Sequence, residues 1–325
     1  MTQNFTVQFQ AMGCTIQAWL NVPNAHRAGV LREVPLWFEG WEERFSRFRS
    51  TSELCALNAS AGEWFAASAE LCEVLWSALD MAALTGGLFN PLVLPALEAA
   101  GYTRSFTAAD TFIPGDAPQN PPMLVPDWRN LRVDRHGGRI RLPIGARLDL
   151  GGIAKGWAAQ QTANRLAHYG ACLVDAGGDM VARGTPDKSG GWQVALPALS
   201  ALSALPDHYV TLSDATIATS GVDYRHWQRD GRTLHHLIDP RTVQPAANDV
   251  LTATVIAPDA VEAEAWAKST LIAGNVANND GRPVLIVRTD SSVSYTQEFA
   301  ALCPTILPAT AQAIQPNPSA AVTAR

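Results

Sequence analysis

Apolar positions recur at two spacings along this chain, and each spacing predicts a kind of element. Thr6 to Gln10 and Thr15 to Leu20 read as short strands on either side of the turn-like pair Met12-Gly13. Leu31, Val34, Trp37, Phe38, Trp41 and Phe45 follow at three- and four-residue spacing. That period predicts a helix over roughly Arg27 to Phe48, with Pro35 and Gly40 working against its continuity. A second helix, roughly Ser68 to Leu84, stops at Gly86-Gly87. Beyond it, Leu131 to Asp134 and Arg139 to Pro143 flank His136-Gly137-Gly138 as a hairpin. Gly152 to Tyr169 reads as a helix introduced by a glycine-rich turn, with Ala171 to Asp175 as the strand after it. Tyr209 to Leu212, Leu234 to Ile238, Thr252 to Ile256 and Val284 to Val287 have strand character, and a helix from about Ala260 to Ile272 ends at Gly274.

This mixture predicts an α/β (α+β) fold in one domain spanning residues 1–304. Residues 105–130 are rich in Pro, Asp, Gly and Thr and read as a surface insertion, and residues 305–325 as a loose tail. With 47% hydrophobic and 17% charged residues the chain has ample core, which excludes a disordered protein. A net charge of −6 argues against a nucleic-acid surface but leaves room for a local cationic pocket. Nowhere is there an apolar run of about 18 residues, so no membrane span is expected. Five scattered cysteines without a CxxC pair suggest neither a disulfide framework nor a zinc site, and a cytoplasmic protein fits best.

Five segments carry candidate chemistry. In RLDLGGIAKGW (Arg147 to Trp157) a strand end with Asp149, two glycines and a helix start would let backbone amides and Lys155 approach a phosphate, although an ordinary strand-to-helix turn uses the same residues. LVDAGGDMVARG (Leu173 to Gly184) closes a strand on a glycine pair that could admit a ligand but serves equally well as a bulge or tight turn, and judged alone the turn or bulge is favoured. ATSGVDYRHW (Ala218 to Trp227) has the donors of a ligand-facing loop. In HHLIDPRT (His235 to Thr242) a histidine near Asp239 and Arg241 supplies a titratable base at a strand end. Glu264 and Lys268, four residues apart, share a helical face. Spacing alone favours a solvated pair, but the apolar neighbours make a charged pair costly there unless it faces a site.

Taken in order, these segments together with AMGCT, FSRFRSTSELCALN, GGLFNPLVLPALEAAGY and AEAWAKSTLIAG resemble the ApbE-like FAD:protein FMN transferases over about nine-tenths of the chain. The resemblance implies an α/β fold with two lobes, FAD as substrate in the cleft between them, and a divalent cation, Mg²⁺, near the pyrophosphate. The implied reaction is attack by a Thr or Ser hydroxyl of a target protein on the FMN phosphorus, with AMP leaving. By position, Met12, Phe48, Leu88, Phe89, Asn90, Asp149, Lys155, Ser220 and Gly221 would bind FAD, and His236 would be the base. A carbonyl near Gly152 and side chains on the Glu264 helix, at Glu264 and Lys268, would form the metal position. An FAD pyrophosphatase and a non-catalytic FAD-binding protein are the alternatives.

The chain departs from the family pattern where the cation should sit. Glu264 stands where Asp is usual, a tolerable exchange of oxygen ligands, and Lys268 where Thr is usual. An ammonium cannot ligate Mg²⁺, so Lys268 is expected to place its own charge near the pyrophosphate instead. Asn90, Gln160 and Val243 stand where Asp, Asp and Gly are common.

Overall fold

Met12 and Gly13 both take positive φ (51° and 71°), and this tight turn returns Gln3–Ala11 antiparallel onto Cys14–Val22 in full register. The hairpin opens the large sheet of a computed structural model that describes residues 2–105, 122–188, 190–196, 208–276 and 279–303, and the backbone of 311–314. Among these residues the sheet has nine strands, in the order Gln3–Ala11, Cys14–Val22, Ala171–Ala176, Asp179–Arg183, Thr216–Gly221, Val250–Ala257, Val284–Arg288, Val293–Thr296 and Ala311–Ile314. All neighbours run antiparallel except the last pair, which is parallel. The mixed helix-and-strand class expected from the sequence is therefore the one observed. Most of the expected 105–130 insertion lies outside the described residues, while Ala311–Ile314, within the segment read as a loose tail, forms the outermost strand.

Side-chain alternation splits the core into two layers. On Ala171–Ala176, Cys172, Val174 and Ala176 join the core beneath the Ala154–Ala167 helix, whereas Leu173 faces a second core built with Trp192, Val194, Val210 and Leu212 of a two-stranded sheet. The Ala260–Ala273 helix lies beside the first helix, its Ala263, Trp266, Ala267 and Leu271 packed with Ala253, Val255 and Ile286. Asp259 caps it by accepting from the amides of Val261 and Glu262, and Gly274 ends it in the left-handed conformation at φ 75°.

The two helices meet closely because Gly156 has no side chain. A Cβ there would lie 2.7 Å from Glu264 Oε2 and 3.0 Å from the carbonyl oxygen of Ala260. Gly156→Ala should therefore destabilise the protein by about 1–3 kcal/mol through overpacking, read as a lower urea midpoint.

The expected Arg27-to-Phe48 helix is two pieces, a 3₁₀ turn Arg27–Arg32 and a helix Val34–Phe45. Pro35 falls in the first turn of the second piece, where its missing N–H costs nothing, so it begins that helix instead of crossing it. The stretch read as a ligand-facing loop from Ala218 to Trp227 is a loop only over residues 222–225, whose Arg225 lines the cleft; it begins in the sheet strand Thr216–Gly221 and ends in the strand His226–Arg229.

Candidate active site

Four connections converge on one cleft. After Phe45 the helix ends with Ser46 in extended conformation, which turns Arg47 and Phe48 into the opening. Gly86 and Gly87, at φ 62° and 84°, end the Ala69–Leu84 helix and lead Leu88, Phe89 and Asn90 to the same place. Asn90 is buried, and its side-chain oxygen accepts from the Leu92 amide at 2.9 Å, fixing that loop. The turn before the Ala154–Ala167 helix brings Asp149, Gly151, Gly152 and Lys155, and the segment after His235 brings His236. The cleft encloses about 1170 Å³ of space, part of it open to solvent. Its lining also includes Met12, Glu42, Tyr102, Arg225 and Lys268. Ser220, Gly221 and Glu264 are not in that lining: Ser220 pairs with Ala253 inside the sheet, and Glu264 lies behind the lysines.

The charges of this wall are layered. Lys155 Nζ is 2.7 Å from Glu264 Oε1 and 3.1 Å from Asp179 Oδ2, and Lys268 Nζ is 3.0 Å from the same Glu264 Oε1. Glu264 Oε2 accepts from the Gly156 amide at 3.0 Å. Both ammonium-bearing residues line the cleft and both carboxylates stand behind them, so the cleft meets the positive side of the layer. Burial alone would raise the Glu264 carboxyl, but Lys155 and Lys268 outweigh it and hold the group down at about 2. Asp179 goes the other way, to about 6, because burial and the Glu264 charge outweigh Lys155. Burial, reinforced by the Lys155 charge, lowers Lys268.

His235 and His236 are adjacent but differently placed. His235 Nε2 lies 2.9 Å from the Ala246 carbonyl and its Nδ1 accepts from the Leu237 amide, so both ring nitrogens serve the backbone. His236 faces the cleft with Nδ1 3.4 Å from the Arg225 carbonyl. If Nδ1 carries the proton, Nε2 holds the lone pair. Burial first, then the charges of Arg225 and Lys268, push its pKa well below the ordinary value, so it is neutral at neutral pH. Asp239 and Arg241 do not join it. Arg241 forks onto Asp239 at 2.8 to 3.2 Å, and the Asp239 carbonyl accepts from the Thr242 and Val243 amides, which makes the DPRT segment a turn brace. Val243 takes φ 62° there, a strained value for a β-branched residue, and is buried with Leu97, Tyr102 and Ile238.

Arg47 was not singled out by sequence, since its meaning depends on distant partners. Its guanidinium sits 4.1 Å from the Phe48 ring centroid and 4.7 Å from that of Tyr102, donates to the Tyr102 carbonyl at 2.8 Å, and has Nε 2.6 Å from Asp149 Oδ2. The Nε–H is not aimed along a hydrogen bond, so that pair is held by charge more than by direction. Asp149 Oδ1 accepts from the Gly151 amide at 2.9 Å. Arg47→Ala removes both the stacked cation and the charge that holds Asp149, and, with FAD the ligand that the sequence resemblance implies, should weaken its binding about tenfold or more by fluorescence titration. Unchanged affinity would make Arg47 purely structural.

The family model for the ApbE family matches residues 12–280, and the chain belongs to that family. It is 29% identical over 283 residues to the FAD:protein FMN transferase of Treponema pallidum, covering 80% of this chain and 76% of that one. With the FAD:protein FMN transferase of Vibrio cholerae it shares 27% over 299 residues, 87% of this chain and 88% of the relative. Two solved structures share the fold. The ApbE protein of Thermotoga maritima aligns at TM-score 0.78 and 24% identity over 92% of this chain and 99% of that one. The apo flavinyl transferase ApbE of Pseudomonas stutzeri aligns at 0.78 and 21% over 94% and 98%.

Proposed function

We propose that this chain transfers the FMN half of FAD to a Thr or Ser hydroxyl of a target protein. The observation that carries the reading is a neutral buried histidine, His236, facing the same cleft as the paired ammoniums of Lys155 and Lys268. The acceptor oxygen bonds to the FMN phosphorus, the bond from that phosphorus to the bridging oxygen breaks, and AMP leaves with that oxygen. His236 takes the hydroxyl proton on Nε2, and the cations oppose charge growing on the phosphate oxygens. Met12, Phe48, Leu88, Phe89 and Asn90 supply the walls around FAD, with Asp149 beside them. Ser220 and Gly221 pair with Ala253 and Thr252 in the sheet and lie outside the lining.

The residues here do not suit Mg²⁺. Both oxygens of Glu264 already accept from cationic or amide donors, and a Cβ on Gly152 would lie 3.1 Å from Lys268 Cε, so the lysine stem occupies the ground beside that residue. Among the described residues no group of three or more His, Cys, Asp or Glu could hold a metal ion. No step of the reaction is therefore assigned to a metal.

No helix among the described residues is long and apolar enough to cross a membrane. We place the protein in the cytoplasm on its five cysteines, scattered along the sequence with no CxxC pair. Incubation with FAD and an acceptor protein bearing an accessible Thr or Ser should give a fluorescent flavin-labelled band. Free FMN with no labelled band would replace transfer by FAD hydrolysis.

A further inference from the structure

We propose that Lys268, braced with Lys155 on the single carboxylate of Glu264, is a built-in cation for the FAD pyrophosphate and makes FAD binding independent of divalent metal. The proposal rests on the FAD reading above and concerns how the chain meets the charge of that ligand.

Two ammoniums sharing one carboxylate oxygen would repel each other and scatter if they were free on the surface. Here Glu264 is 1% exposed and each lysine side chain about one-seventh exposed, at 13% and 14%, so the pair is fixed and only its cleft side is open. A preset cation in a site of low dielectric does not have to be captured or reoriented when the phosphates arrive. The lining of the cleft reinforces this. In a protein of net charge −6 it gathers Arg47, Lys155, Arg225 and Lys268 against Glu42 and Asp149 alone. Asp149 is already matched by Arg47, and Glu42 accepts from the Met12 amide at 2.9 Å and lies 3.4 Å from Arg49. Glu264 and Asp179 balance the two lysines in number but stand behind them, so the positive face of that wall, Lys155, Lys268 and Arg225, is what the cleft meets.

Glu264 is the residue that makes the pair workable. Its two oxygens take Lys155, Lys268 and the Gly156 amide together, spanning the two neighbouring helices. These contacts take three of its about four lone-pair sites, and the residue lies outside the cleft lining. The Lys268 stem runs along Gly152, where a Cβ would stand 3.4 Å from Lys268 Cδ and 3.4 Å from Phe89 Cε2, so the ammonium is steered by packing as well as by charge.

Calorimetric titration of FAD onto the full chain, in EDTA and in saturating Mg²⁺, tests the proposal with Lys268→Met and Lys268→Thr alongside wild type. Wild type should bind FAD equally in both buffers, and Mg²⁺ added to the FAD complex should give no binding heat. Lys268→Met keeps the stem and loses the charge. It should bind FAD roughly 10- to 100-fold more weakly in either buffer, with its thermal melt confirming a folded chain. Lys268→Thr offers an oxygen and space, and its weakened binding should recover in Mg²⁺. Stronger FAD binding by wild type in Mg²⁺, a Mg²⁺ binding heat, or wild-type affinity in Lys268→Met would each overturn the proposal. Failure of wild type to bind FAD in either buffer would instead overturn the FAD reading beneath it.

Discussion

Replacing His236 by alanine should lower FMN transfer by about 10²–10⁴-fold and leave FAD binding largely intact. The reason is positional. His236 lines the cleft with one nitrogen directed to the Arg225 carbonyl, while its neighbour His235 spends both nitrogens on the backbone. His235→Ala should therefore act mainly on stability. The pH profile gives a second reading of the same assignment. A base must be unprotonated, and burial together with Arg225 and Lys268 holds the His236 pKa well below its ordinary value. The rate should stay level as pH falls from neutral through the usual histidine range and decline only below it. A rate that halves near the ordinary histidine pKa would show that His236 is solvated in the working enzyme or is not the base.

The largest loss of stability should come from Glu264→Gln, about 3–5 kcal/mol, because it leaves two buried ammoniums without their shared countercharge. Asp179 can still answer Lys155, at 3.1 Å, but Lys268 has Glu264 as its ion-pair partner. The sign of the pH dependence follows from the folded-state pKa. Glu264 is held at about 2 against an ordinary 4.5, so its contribution is complete above about 4.5 and is lost as pH falls from there toward about 2. Denaturant titrations of wild type and Glu264→Gln should differ most near neutral pH and draw together in acid. A gap that stayed constant down to pH 2 would mean that the variant suffers from packing, not from charge.

Sequence reading succeeded where one local rule dominated. The Ala69–Leu84 helix follows a clean period, is capped by Ser68, and ends before two glycines, so its bounds were visible within a residue. The strand Thr216–Gly221 was missed because its small and hydroxyl residues have no apolar alternation. Its place in the sheet comes from neighbours about 30 to 40 residues away, such as Val255 opposite Ala218. Gly177-Gly178 are the tight turn that the sequence favours, here the turn of a hairpin, but the strand Asp179–Arg183 beyond it was not foreseen.

The cleft was legible through the order of its segments. Met12, Phe48, Phe89, Asp149, Gly152, Lys155, His236 and Lys268 do meet there. Arg225 was among the donors of the loop read as ligand-facing, but Arg47 and Tyr102 were not singled out, because Arg47 acquires a role only when Tyr102 and Asp149 fold against it from 55 and about 100 residues away. The Glu264–Lys268 spacing was equally consistent with a solvated surface pair. Burial, and Lys155 arriving from 109 residues earlier, make it part of a three-charge brace.

The most direct measurement is the intact mass of an acceptor protein after incubation with this chain and FAD, taken together with the AMP released. The account predicts one FMN phosphoester on an acceptor Thr or Ser for each AMP formed, abolished by alanine at that acceptor position and by His236→Ala. AMP released with free FMN and an unmodified acceptor would contradict it.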